Sequence, residues 1–127
     1  MSEKSEFESL LERYRRSPEF LCVEIEGPNQ TGITGDTLLH AAVVRGESED
    51  VDVLMAVGAQ VNAVGDLGNT PLHHAASRGL AEIARKLLRY GADPRIRNEF
   101  GQTPLDLATL MKRQNVAQLL KETNTTN

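Results

Sequence analysis

The sequence predicts an all-α solenoid of stacked helix–turn–helix units. Three observations carry that expectation. A sequence pattern recurs in register, its threonines equally spaced at Thr37, Thr70 and Thr103. Two of them, Thr70 and Thr103, are able to cap a helix. Each recurrence also holds two helices too short to be stable alone, so their apolar faces require a neighbour.

The recurrence is read from three hexamers, Gly35-Asp36-Thr37-Leu38-Leu39-His40, Gly68-Asn69-Thr70-Pro71-Leu72-His73 and Gly101-Gln102-Thr103-Pro104-Leu105-Asp106. Further positions keep the register: Ala42, Ala75 and Ala108; Gly46 and Gly79; Leu54, Leu87 and Leu120; Gly58-Ala59 and Gly91-Ala92. A self-similar period of this length is the signature of a repeat architecture.

Each element has a local cause. At the N-terminus, Ser5-Glu6-Phe7-Glu8 reads as a capping box, with Phe7, Leu10, Leu11 and Tyr14 at helical spacing behind it. Ser17-Pro18 signals a second helix start, Phe20, Leu21, Val23 and Ile25 supply apolar surface, and Gly27-Pro28-Asn29 ends it. A strand over Phe20 to Ile25 is the alternative. In the repeats, the threonine caps the first helix and Pro71 or Pro104 takes its first position, where no N–H is needed. Gly46 and Gly79 suit the left-handed residue that ends it. In the middle unit the second helix runs from Ala81 to Tyr90, with Ile83, Ala84, Leu87 and Leu88 inward and Glu82 placed to pair with Lys86. Gly91 ends it. The tail from Glu122 is polar, and fraying is expected.

The string Thr-Pro-Leu-His-x-Ala at 70–75, followed by Gly79 and by Leu87-Leu88-x-Tyr90-Gly91-Ala92-Asp93, resembles the ankyrin repeat. The resemblance covers about residues 32 to 121 and implies projecting β-hairpin-like loops between the units. It divides the chain into an N-terminal capping helix pair (1–31), repeats at 32–64, 65–97 and 98–121, and a polar tail (122–127). Departures fall in the outer repeats: Leu38 for proline and Asp50 for an apolar residue in the first, Asp106 for histidine and Lys112 for the helix-ending glycine in the third. Such departures suit terminal units with one side facing water.

Composition narrows the function. The chain has 127 residues, 25% charged and 4% aromatic, with a net charge of −4, which speaks against a nucleic-acid binder. Residues 1–66 carry −8 and residues 67–127 carry +4. No apolar run is long enough for a membrane span, and no basic start precedes an apolar stretch. The single cysteine, Cys22, forms no internal disulfide and points to a reducing, cytoplasmic setting. Its residue type and neighbours fit a small buried hydrophobe.

Catalytic and metal chemistry find no support. His40 and His73 share a motif position and are expected to bond locally and brace the hairpin. His74 is additional, near the surface of the first helix, and open to a binding role. Adjacent histidines do not make an i,i+4 metal pair. Glu47, Glu49, Asp50 and Asp52 crowd a helix start and compensate its dipole, with an acidic docking patch as the other reading. Arg85, Lys86, Arg89, Arg95 and Arg97 read as a solvated face. No glycine-rich phosphate loop, cofactor site or nucleophile–base pair is recognisable.

The resemblance implies a partner protein held by the loop tips and the exposed side of the first helices. Register places Ile33 and Asp36, then Asp66, Leu67 and Asn69, then Phe100 and Gln102 at the tips. Arg45, Arg78 and Met111 fall on the helix edge, with Leu110 beside them, and Tyr90 on a groove-facing position. Leu67 and Phe100 are one repeat apart and should form an apolar column. The expected function is a non-enzymatic, monomeric protein-binding module. An inhibitor or immunity protein neutralising a toxin or enzyme is the alternative.

Overall fold

The computed structural model describes residues 3–21 and 23–125; Cys22, with the reading made for it, lies outside them. The described residues form seven α-helices: α1 Glu3–Tyr14, α2 Leu38–Val44, α3 Ser48–Ala56, α4 Pro71–Arg78, α5 Ala81–Arg89, α6 Pro104–Leu110 and α7 Gln114–Thr125. There is no strand among them, only an isolated antiparallel bridge between Thr31 and Thr37. The all-α solenoid expected from the repeat is the fold.

The helices stand in two layers. The first helix of each unit, α2, α4 and α6, packs on its counterpart in the next. The second helices, α3, α5 and α7, form the other layer, with α1 added at its N-terminal end. The recurring alanines Ala42, Ala75 and Ala108 are wholly buried, and their small side chains let the first-helix layer close up. Leu54, Leu87 and Leu120 form the matching fully buried column in the second layer. A leucine so placed contributes roughly 1.5–3 kcal/mol by leaving water. On α5, Ile83, Ala84 and Leu87 face inward while Arg85 and Arg89 face water.

Between the units project three fingers of one design. Each is closed by the same backbone bond: Gly32 N–H to the Asp36 carbonyl at 2.8 Å, Gly65 N–H to Asn69 at 2.9 Å and Asn98 N–H to Gln102 at 2.9 Å. At each tip a glycine takes a left-handed conformation, Gly35, Gly68 and Gly101 at φ 93°, 77° and 74°.

Three expectations for the chain ends are corrected. The N-terminal cap is not a helix pair. Only α1 is helical, and after it come single turns, Phe20 N–H to Ser17 and Val23 N–H to Phe20, each closed over three residues. Val23 and Ile25 are β-branched and Gly27-Pro28 follows at once, so neither a second helix nor a strand is sustained. Phe20 and Ile25 reach the core, but Leu21 points to solvent. Secondly, α1 begins at Glu3, so Ser5 lies inside it and is not its cap. Thirdly, α7 runs on to Thr125, where fraying was expected from Glu122.

Candidate functional site

The fingers are held by the residues that begin each unit. In α2, Thr37 Oγ1 accepts from the His40 N–H, and His40 Nδ1 accepts from the Thr37 N–H at 3.1 Å. The opposite ring nitrogen, Nε2, then carries the proton and donates to the Asn69 carbonyl of the second finger at 2.8 Å. The middle unit repeats this: His73 Nδ1 accepts from Thr70 N–H at 3.0 Å and Nε2 donates to Gln102 at 2.9 Å. Each histidine thus caps its own helix and ties down the next finger, the bracing role expected of it. Burial holds both imidazoles below the usual histidine range.

Asp106 keeps the box by itself accepting from the Thr103 N–H at 3.0 Å. It has no second nitrogen to send onward, and among the described residues no fourth finger follows. His74 sits on α4 with its ring edge-on to His40, centroids 5.7 Å apart. Its Nε2 is buried without a hydrogen-bond partner, and burial lowers its proton affinity too.

Of the residues expected at the partner surface, several serve the scaffold. Asp36 Oδ1 accepts from the Asp66 N–H at 2.9 Å, joining the first two fingers. Asn69 and Gln102 both accept from the Asn98 side-chain amide at 3.0 and 3.1 Å. Arg45 is turned toward the N-terminal cap. Its guanidinium bonds Ser17 Oγ and Glu19 Oε1 and lies 4.4 Å over the Tyr14 ring. Tyr90 belongs to the second-helix layer rather than a groove: its hydroxyl donates to Asp52 Oδ1 on α3 at 2.6 Å. That bond, then burial, raises its proton affinity.

At the remaining positions the backbone serves the scaffold, but the side chains form no hydrogen bond or ion pair among the described residues. Ile33 is 70% exposed, Leu67 47% and Phe100 67%, all at the finger tips. On the α6 edge Leu110 is 64% exposed and Met111 48%. Asp66 and Arg78 are exposed and form no ion pair among the described residues. Leu67 also holds a left-handed φ of 59°, strained for a bulky side chain.

The acidic run does not form one patch. Asp50 is buried, receives both Arg13 guanidinium nitrogens at 2.9 and 2.8 Å, and accepts from the Tyr14 hydroxyl at 2.9 Å. The departure at position 50 therefore anchors α1 to α3. Burial, then the Asp50 charge, pushes the Tyr14 phenol up. Asp52 takes Lys86 Nζ at 2.7 Å, so Lys86 pairs across repeats and not with Glu82 as its spacing suggested. Burial pushes the Asp52 carboxyl up, but the Lys86 and Tyr90 bonds outweigh it and the net direction is down. Glu47 and Glu49 alone of the four stay exposed.

Sequence reading missed one ladder. Asn29 donates to the Gly58 carbonyl at 3.1 Å and accepts from Gln60 N–H at 2.8 Å. Asn62, one repeat further on, makes the same pair to Gly91 and Asp93 at 3.3 and 2.8 Å. The signal was the shared register of the two asparagines. At the next step the residue is Arg95, which folds back onto Asp93, and the ladder ends.

The family described as ankyrin repeats, in three copies, matches residues 13–98 and 39–127. The chain belongs to the ankyrin-repeat family. Ankyrin repeats are general protein–protein interaction modules, and the family is typically non-enzymatic. A search of curated proteins found no match. No helix among the described residues is long and apolar enough to cross a membrane.

Proposed function

We propose that this chain is a protein-binding module that captures a partner protein on its finger tips and the adjoining edge of the first-helix layer. The observation that supports it is a set of large apolar side chains that the core leaves in water: Ile33, Leu67 and Phe100 at the finger tips, and Leu110 and Met111 on the α6 edge. Large apolar groups that folding does not bury mark interaction surfaces. Repeated backbone bonds hold the fingers that carry them, so little ordering is required on binding. Asp66 and Arg78 add polar contacts that orient the partner. Asp36, Asn69 and Gln102 support the surface from beneath. We read the module as a cytoplasmic monomer that does not engage nucleic acid, in keeping with one cysteine and a net charge of −4.

The test is the double substitution Leu67→Ser and Phe100→Ser, with affinity capture from the native cell read by mass spectrometry. Each side chain lies outside the core, so the circular dichroism spectrum and melting cooperativity should be kept. Loss of aromatic or aliphatic anchors weakens interfaces by roughly 1–2 kcal/mol or more each, a tenfold loss or greater. Capture undiminished by the folded variant would rule this surface out.

A further inference from the structure

At the C-terminal end of the stack, α6 and α7 leave a notch of about 250 Å³ between them. Ala108 and Ala117 line it with methyl groups, and Lys112, Arg113 and Lys121 line it with positive charge. No acidic residue belongs to the lining. The three cations form no ion pair among the described residues. Arg113 gives only its Nε, to the Ser77 carbonyl at 3.1 Å.

The start of α7 adds to this field. α3 and α5 carry Glu49 and Glu82 in their first turns, where a carboxylate offsets the positive end of the helix dipole. The residue in register with them on α7 is Asn115, and the first turn of α7 holds no acid. The notch therefore borders a positive helix end that no carboxylate of its own first turn offsets.

This face is not shaped for a further repeat. At the joint before it, Gly79 leaves room for the Arg113 stem: a Cβ there would come within 2.9 Å of Arg113 Cδ. Lys112 stands in the register place of Gly79 and brings the side chain that Gly79 lacks. Asp106, in the place of His40 and His73, has no second nitrogen to hold another finger. The notch is also smaller than the ~300 Å³ or more of small-molecule pockets, so it suits a side chain and not a larger ligand. Its methyl groups suit an aliphatic side chain better than a bare anion. Leu110 and Met111, both exposed, directly precede Lys112, so the apolar edge of α6 adjoins the notch.

We propose that this notch seats an acidic segment of the partner protein. An aliphatic side chain of that segment enters between Ala108 and Ala117, and glutamate or aspartate carboxylates beside it meet Lys112, Arg113 and Lys121. The cations turn away basic segments by the same field. This names the chemistry of the partner and rests on the protein-binding function proposed above.

Nuclear magnetic resonance of the full chain tests it. The probe is a short helix-forming peptide of leucine, alanine and glutamate; the control is its twin with lysine in place of glutamate. The glutamate peptide should shift the Thr109, Lys112, Ala117 and Lys121 amides saturably, and less so as salt is raised. The lysine peptide should leave them unmoved. The double substitution Lys112→Glu and Lys121→Glu should weaken binding roughly tenfold. Both side chains are exposed; if the pair does not fold, Lys121→Glu alone on α7 should weaken it severalfold. The proposal is overturned by unmoved notch amides, or by equal shifts from both peptides. Shifts confined to Leu67 and Phe100 would also overturn it, while leaving capture at the finger tips standing. Notch shifts that grow with protein concentration alone would assign the face to a second copy and overturn it as well. Conversely, undiminished capture by the Leu67→Ser, Phe100→Ser chain would reject the finger tips without touching the peptide result.

Discussion

Lys112 occupies the place that Gly46 and Gly79 hold in the earlier units and takes the same left-handed conformation, φ 59° against 72° for both glycines. That conformation costs an L-residue about 1–2 kcal/mol, while glycine loses more freedom on folding. Lys112→Gly should therefore stabilise the protein by about 0.5–1 kcal/mol, seen as a higher urea midpoint at unchanged slope. An unaltered or lower midpoint would mean that contacts of the lysine stem compensate the strain. The position was visible in the sequence as a break in the glycine register; that the backbone keeps its left-handed turn regardless was not. Leu67 differs: its register mates Thr34 and Phe100 are not left-handed, so its φ of 59° belongs to the second finger alone.

At the scale of elements, the repeats are stitched along separate lines: histidines at the fingers, Lys86 and Tyr90 across the second helices, asparagines at the far loops, and Arg113 and Asn115 onto the Ser77 and Gly79 carbonyls at the end of α4. Asn62→Ala removes two bonds to the loop that follows α5 and should cost about 1 kcal/mol, because each net bond is modest and both are exposed to water. Equilibrium urea unfolding measures it, and an unshifted midpoint would show that water replaces both bonds.

How far these lines were legible depended on range. The Thr70 and Thr103 caps, the glycine-ended helices and the apolar faces of the repeats follow from near neighbours within one or two helical turns, and they match the structure closely; the Ser5 capping box does not. Cross-repeat partners sit a whole unit away along the chain, so spacing along one helix misassigned Lys86 to Glu82. Tyr90 and Arg45 were placed on the binding face by register alone. Register fixes the backbone position, but local partners choose where a long side chain points. The N-terminal segment carries no repeat, and helix-start signals there lost to β-branched residues and the nearby Gly27-Pro28.

For the whole molecule, the three histidines set the response to acid. Each has its proton affinity lowered in the folded chain, chiefly by burial. The unfolded chain, with histidines near pH 6.5, then binds more protons than the native one as the pH falls. Their contribution to stability is complete above about pH 7 and is lost as the pH falls through about 6.5 toward the lower native values. Each site can add a slope of at most about 1.4 kcal/mol per pH unit. The Asp52 and Asp93 carboxyls, both held below their usual range, add a second loss that begins only near pH 4. Denaturant unfolding at pH 7.5, 6.5 and 5.5 should give a falling series. A flat or rising one would show that the imidazoles are not buried neutral.

The His40 and His73 links also bear on how such a chain can change length. Each histidine recognises only a main-chain carbonyl on the following finger, and any residue type offers that group. Excising residues 65–97 would set His40 opposite the Gln102 carbonyl in place of Asn69, with the same bond available. Ancestors and descendants of this sequence could therefore gain or shed whole blocks without inventing a new joint. Asp106 acts as a full stop, since extending past it would first require restoring an imidazole there.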